Sequence, residues 1–289
     1  MLSIDNRQLK ISIHPKGAEL QSIFHKGRQL EYMWGGDPAI WGKHSPILFP
    51  IVGTLKEDKY YYEGKPYSLG RHGFAREMEF EVEEQGPDHL VLLLRNDAST
   101  RQKYPFDFEL RLTYRLLDEG FTTTYSVKNP GSTDMYFSVG GHPAFKVPLA
   151  EGTTYDNYYL EFDQKETASR WPISAEGLIE QQPIPLLKDT RRLPLAKELF
   201  AKDALVFKQL SSTSVSLRSD KTDHGLTFDF AGFPFLGIWA AKNADFLCIE
   251  PWCGIADSVD SSQQLTEKEG IIRLAPGATF ERTWGVTLF

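Results

Sequence analysis

Residues 106–127 alternate with a period of two on both sides of a short polar turn, and no other feature of the sequence narrows the fold as much. Phe106, Phe108, Leu110, Leu112, Tyr114 and Leu116 occupy every second position, "LDEG" at 117–120 reverses the chain, and Phe121, Thr123, Tyr125 and Val127 resume the alternation. A helix with 3.6 residues per turn would scatter these side chains around its axis, whereas a strand places them on one face. Two such runs form an antiparallel hairpin whose apolar face must be covered by further sheet.

The signature recurs along the chain. Leu9, Ile11 and Ile13 alternate, and "GAELQSIFHKGRQLEY" (17–32) reads as two strands around Lys26-Gly27-Arg28. "KYYYEGKPYSL" (59–69) turns at Glu63-Gly64-Lys65. Met78, Phe80 and Val82 lead through "QGPD" into the apolar run "HLVLLLRN". Met135, Phe137 and Val139 follow "NPGS", and Phe280, Arg282, Trp284, Val286 and Leu288 alternate to the end. Helical signal is confined to "LPLAKELFAKDA" (193–204), with room for one or two turns. Residues 163–194, with Pro172, Pro183, Pro185 and Pro194, read as an excursion from the sheets. No linker composition or repeat divides the chain. The expectation is an all-β fold of large, mostly antiparallel sheets with very few short helices, one domain over residues 1–289. That is too long for a single immunoglobulin-sized sandwich.

Charge and cysteine content exclude several functions. The 39 acidic and 32 basic residues give a net charge of -7, so the basic stripe that nucleic acid requires is not expected. No apolar run approaches membrane-spanning length, and the N-terminal stretch lacks the pattern of a secretory signal. Cys248 and Cys253 stand as a lone C-x4-C pair with no partners for a zinc site. The expectation is reduced cysteines in a cytoplasmic protein, monomeric or homodimeric.

Three interruptions of the strand pattern bring chemistry with them. In "SVGGHPAF" (138–145), two glycines and Pro143 flank His142 at the end of a strand-like run, where a rigid sheet can present a side chain. Gly140 and Gly141 are expected to leave room for a ligand, and Pro143 to end the strand so that His142 faces a pocket. In "GRHGFAR" (70–76), His72 lies between Gly70 and Gly73 with Arg71 and Arg76 beside it. In "FLCIEPWCG" (246–254), Glu250 follows an apolar strand, and burial there would raise its pKa toward that of a useful general base. His14, His25, His89 and His224 lie by turns or in polar surroundings and read as structural. A metal site built from His72, His142 and Glu250 lacks the short ligand spacing of common metal motifs. Among the aromatic residues near strand ends (Trp34, Trp41, Trp239, Trp252, Phe145 and Phe235), one or two could form the flat apolar wall that a sugar ring prefers.

Taken in order, "WGKHSPILFPIVG" (41–53), "HGFAR" (72–76), "GGHPAF" (140–145) and "IEPWCG" (249–254) resemble the aldose 1-epimerase (galactose mutarotase-like) superfamily, in particular its LacX-like branch. The resemblance spans essentially the whole chain. It implies a β-supersandwich and interconversion of the α and β anomers of a free aldohexose, with no metal, nucleotide or redox cofactor. It also implies roles: His142 as general acid, Glu250 as general base, and His72 and Asp203 as sugar-binding residues; of the aromatic residues named above, Trp239 is expected to bind substrate. Galactose mutarotases carry an arginine in a motif before the first histidine, where this chain reads "FPIVGTLKED". Lys56, Arg71 or Arg76 is expected to replace it. The nearest rival on the same fold is a hexose-6-phosphate 1-epimerase with those three cations around the phosphate, and the rival of another class is a non-catalytic sugar-binding protein.

Overall fold

The alternating hairpin forms the centre of a nine-stranded antiparallel sheet. In the computed structural model, which describes all 289 residues, this sheet runs in the order Thr190–Pro194, Tyr158–Glu166, Ser214–Ser219, Thr222–Asp229, Thr279–Leu288, Gly120–Lys128, Glu109–Leu116, His89–Arg95 and Glu81–Gln85. Leu110 pairs with Val127, Leu112 with Tyr125 and Leu116 with Phe121, so the alternating residues share one buried face. A second sheet carries Leu205–Lys208, Phe235–Trp239, Phe246–Cys253, Val139–Gly141 and Ile47–Leu48 in that order, with Ala144–Lys146 also paired to Phe246–Cys253. A continuous apolar core runs from Ile4 to Leu288, and a smaller cluster (Leu48, Val206, Phe235, Trp252 and neighbours) lies apart from it. Strands take 48% of the residues and helical turns 8%, as an all-β reading requires. No helix is long and apolar enough to cross a membrane.

Local departures from the sequence reading have simple causes. Phe106 and Phe108 are buried but precede the strand, which begins at Glu109. Helix Ala98–Lys103 has too few residues to show a 3.6 period; it is set instead by Asp97, whose carboxylate accepts from Thr100 N–H while Asp97 N–H donates to Thr100 Oγ1. In "LPLAKELFAKDA" the only helical turn is Lys197–Phe200. Of the expected excursion at 163–194, both ends belong to the nine-stranded sheet, in Tyr158–Glu166 and Thr190–Pro194; the part between forms a short pair, Ser169–Arg170 with Ile184–Pro185, and packs Ile173 and Ile179 against the smaller apolar cluster.

At Gly141 the two sheets come into close contact. Trp284 Nε1 donates to Tyr125 Oη at 2.8 Å inside the core, and both residues belong to the nine-stranded sheet. A Cβ on Gly141 would lie 2.5 Å from that oxygen. Gly141→Ala is therefore expected to lower the unfolding free energy by about 1–3 kcal/mol through overpacking. Tyr125→Phe costs a similar amount, about 1–3 kcal/mol, by leaving the indole N–H unpaired. The two losses should fall short of additive, because removing the hydroxyl also removes the clash. Urea denaturation of both single variants and the double variant checks this; strict additivity would show that the contact is not the cause.

Candidate active site

The strand Phe246–Cys253 pairs with two short neighbours in succession. Gly140 lies opposite Trp252 and Ala144 opposite Cys248, so the intervening register brings His142 opposite Glu250. Pro143 has no N–H to give this ladder, and its carbonyl accepts from Ile249 N–H at 3.2 Å. The break releases the His142 side chain from regular packing while keeping its backbone fixed on both sides. On the other flank Gly237 is opposite Glu250, and beyond it lies Val206.

His142 Nε2 stands 3.3 Å from Glu250 Oε2, although the two do not form an oriented hydrogen bond. Both residues are buried, Glu250 at 1% exposure and His142 at 9%. Glu250 Oε2 and His142 Nδ1 have no protein hydrogen-bond partner. Trp41 stacks on the imidazole with ring centroids 5.1 Å apart, and Trp239 meets it edge-on at 5.6 Å. Burial in this apolar frame disfavours charge on either group. It pushes the His142 imidazole down to about 3 and the Glu250 carboxyl well above the usual carboxylate range. The same burial therefore favours the uncharged form of both groups.

His72 is 5.8 Å from His142, ring centroid to ring centroid. Its backbone lies in the left-handed region at φ 68°, inside the turn closed by Gly73 N–H donating to the Gly70 carbonyl at 3.0 Å. Nδ1 accepts from Gly53 N–H at 3.0 Å, so in the neutral ring the proton must sit on Nε2, a fixed donor. Neutrality is enforced by burial first, then by His142, Arg71 and Arg76, which hold the imidazole well below its ordinary value. Gly53 can approach because it lacks a Cβ, which would lie 2.5 Å from the Cβ of Ala256.

These residues line a cleft of about 450 Å³ together with Asp203, Arg71, Arg76 and Trp239. Asp203 Oδ1 accepts from Ala204 N–H and lies 3.9 Å from an Arg71 nitrogen, which leaves Oδ2 without a protein partner. Arg76 donates to the Arg71 carbonyl at 2.9 Å. Lys56 belongs elsewhere: its Nζ donates to the Val259 carbonyl at 3.0 Å, and it does not line the cleft. Among the expected replacements for the family's arginine, only Arg71 and Arg76 remain.

The two glycines before His142 also have other work than expected. Gly141 makes room for Tyr125, as described above. Gly140 makes room for Trp252, whose Cδ1 would lie 2.9 Å from an added Cβ, and Gly237 does the same for Cζ2 at 2.5 Å. The space serves an indole wall of the cleft, not a ligand directly. Trp41 and Trp252 join Trp239 as walls, while Ile173, Gly177 and Ile179 from the excursion close one side. Lys202 and Lys242 also line the cleft, and nothing in the sequence distinguishes them from ordinary solvent-facing lysines. Cys248 Sγ joins His142 and Glu250 as a third potential ligand atom within 4.8 Å, in place of the His72 combination considered above. Burial and the nearby Glu250 hold its thiol protonated, so a cation there would have to displace protons.

Comparison with known proteins identifies the family of the chain. Protein LacX of Lactococcus lactis subsp. lactis, in its chromosomal and plasmid forms, is 35% identical over 296 aligned positions, covering 99% of this chain and 99% of each relative. The crystal structure of a galactose mutarotase related enzyme from Lactobacillus acidophilus matches with a TM-score of 0.96 and 37% identity, over 100% of this chain and 97% of that one. A galactose mutarotase-like protein from Lactobacillus casei matches with a TM-score of 0.94 and 32% identity over 100% of both chains. The sequence profile described as aldose 1-epimerase matches residues 1–273, and the chain belongs to the aldose 1-epimerase family, a family of isomerases acting on carbohydrates.

Proposed function

We propose that this protein interconverts the anomers of an aldohexose pyranose, with Glu250 as general base and His142 as general acid. The observation that carries this reading is the buried Glu250 Oε2, without a hydrogen-bond partner, 3.3 Å from His142 Nε2. Ring opening removes a proton from the C1 hydroxyl and delivers one to the ring oxygen. Ring closure is the reverse. A pair that shares one titratable proton serves both directions: opening requires that substrate binding draw the proton from Glu250, where burial favours it, onto His142, and it rests on Glu250 again once the ring is open. No exchange with solvent is needed between the two arrangements.

The surrounding residues fit the demands of a sugar. Trp41, Trp239 and Trp252 offer flat apolar surface to C–H faces, while the His72 Nε2–H donor and the free Asp203 carboxylate oxygen are suited to hydroxyls. The aldehyde intermediate turns about C1–C2 before closing on its other face. The chemistry calls for only modest acceleration, and positioned acid and base groups supply about 10²–10⁴-fold each. Both cysteines are buried free thiols, which suits a reducing cytoplasm.

Polarimetry of freshly dissolved α-D-glucose and α-D-galactose tests the assignment. Glu250→Gln and His142→Asn are each expected to lower kcat by about 10²–10⁴-fold, with the folded state intact by circular dichroism. Sugar binding without acceleration by the wild-type protein would favour a binding-only role. A second expectation concerns pH. The pair loses its only proton once pH exceeds the raised Glu250 range, and it gains a second when His142 titrates near 3. The buffer-corrected kcat/KM should therefore stay level from mildly acid to neutral pH and fall on the alkaline side. An acid-side loss centred near the ordinary imidazole value of about 6.5 would show instead that His142 titrates as an exposed histidine.

A further inference from the structure

Lys268 and Asp257 form an ion pair that is buried at both ends, and neither residue lines the cleft. Lys268 Nζ donates to Asp257 Oδ1 at 2.8 Å and to the Ile255 carbonyl at 2.6 Å. The acid–base chemistry makes no use of either side chain. Nor does burial of two opposite charges by itself favour the fold, since an apolar pair of similar volume is often as stable or more so. What a buried pair does fix is the geometry of the groups bonded to it, and here those groups lead to the cleft.

Asp257 ties three segments together. Its Oδ2 accepts from Lys56 N–H at 3.0 Å, its own N–H donates to the Thr54 carbonyl at 2.9 Å, and its carbonyl accepts from Ile179 N–H at 2.8 Å. The segment after Gly53 is thereby held at Thr54 and again at Lys56. Gly53 in turn is joined to His72 by two bonds. Its N–H donates to His72 Nδ1 at 3.0 Å, and its carbonyl accepts from His72 N–H at 2.8 Å. Close packing prevents slippage on either side: a Cβ on Gly53 would lie 2.5 Å from the Cβ of Ala256, and one on Gly177 would lie 2.7 Å from Thr54 Oγ1. Lys56 thus serves the site through its backbone N–H, although its ammonium lies outside the cleft.

We infer that Asp257 and Lys268 are positioning residues for His72: through Thr54 and Lys56 they hold Gly53 N–H on Nδ1 and so keep the ring proton on Nε2, where it faces the cleft. Without that bond the neutral ring can carry its proton on either nitrogen, and Nε2 then meets a sugar hydroxyl as donor in one tautomer and as acceptor in the other. This deepens the acid–base reading and rests on it for the duty of His72 toward the sugar; the tautomer itself is read without turnover.

The test compares the full-length wild-type protein with the double variant Asp257→Leu, Lys268→Met, an apolar pair of similar size. Nitrogen NMR of the His72 ring should show a single tautomer in the wild type, with Nε2 protonated and Nδ1 bare. In the double variant, folded by circular dichroism, the two ring signals should converge as both tautomers populate. Glucose affinity, read from cleft tryptophan fluorescence, should fall by about 2–10-fold, the worth of one neutral hydrogen bond. In a His72→Gln background the same pair of substitutions should cause no further loss. Lys56→Pro is the second probe, because it deletes the N–H bonded to Asp257 Oδ2 and leaves the ion pair whole; Leu55 before it is already extended, at ψ 146°. Lys56→Ala, which loses only the side chain, is its control. Lys56→Pro should reproduce the tautomer change and Lys56→Ala should not, which decides the matter even where the double variant fails to fold. A single His72 tautomer retained in Lys56→Pro, or affinity losses that simply add in the His72→Gln background, would overturn the inference. Anomer exchange by the wild-type protein on glucose and galactose, followed by NMR magnetisation transfer, tests the underlying reading separately. A tautomer change in a protein that exchanges neither sugar keeps the positioning pair and removes the epimerase; exchange with the tautomer unmoved does the reverse.

Discussion

A strand that pairs with two successive short neighbours must lose its ladder where they meet, and in this chain the loss falls at His142-Pro143, opposite Glu250. In an uninterrupted sheet, buried polar side chains facing each other across strands would either bond tightly or be replaced by apolar ones. Here the interruption holds both backbones rigid and leaves the side chains close but unbonded. The groups around them follow from that arrangement. Trp252 needs Gly140 and Gly237 for its ring, and Gly141 must be bare because Tyr125 and Trp284 lie directly beneath. A close, unbonded polar pair has thus been set into the sheet.

The same burial decides the protonation of the site. Water would let His142 and Glu250 ionise independently, and the pair would then carry whatever charge the pH dictated. Removal from water penalises every charged form of either residue taken alone. What survives is a pair with one proton, whose two internal arrangements have the same net charge. His72 is tuned in the same direction for a different task, since its neutral ring has only one donor and Gly53 N–H decides which nitrogen bears it.

The fold was legible where alternation was long and uninterrupted, as in 109–128 and 279–288. The Ser214–Ser219 and Thr222–Asp229 hairpin was harder to see, because serine and threonine blur the contrast between its faces even though Val215, Leu217, Leu226 and Phe228 are buried. Helix Ala98–Lys103 left only a capping signature. At the site, His142, His72 and Glu250 stood out because glycine and proline broke the pattern around them. Lys56 misled because proximity to a motif in sequence does not place a side chain, and its Nζ is committed to the Val259 carbonyl. Lys202 and Lys242 were invisible for the opposite reason: they are exposed lysines whose meaning comes only from strand pairing that unites two distant loops.

The cleft therefore has two electrostatic zones, and they depend on each other. Its floor, with Glu250 and His142, is buried, so charge is disfavoured there; at its opening the Arg71 side chain is half exposed, and water partly solvates its charge. Moving the cations inward would add to the desolvation penalty and press His142 and His72 further from protonation, an influence that Arg71 and Arg76 already exert. Moving the acid–base pair outward would let water fix its charge state. The neighbouring strands Leu205–Lys208, Phe235–Trp239 and Phe246–Cys253 separate the zones by a few residues along each strand, with Val206, Gly237 and Glu250 in one row and Lys202 and Lys242 just beyond the ends. One sheet thus holds a buried carboxyl–imidazole pair and a set of cationic side chains only a few residues apart, in distinct dielectric environments.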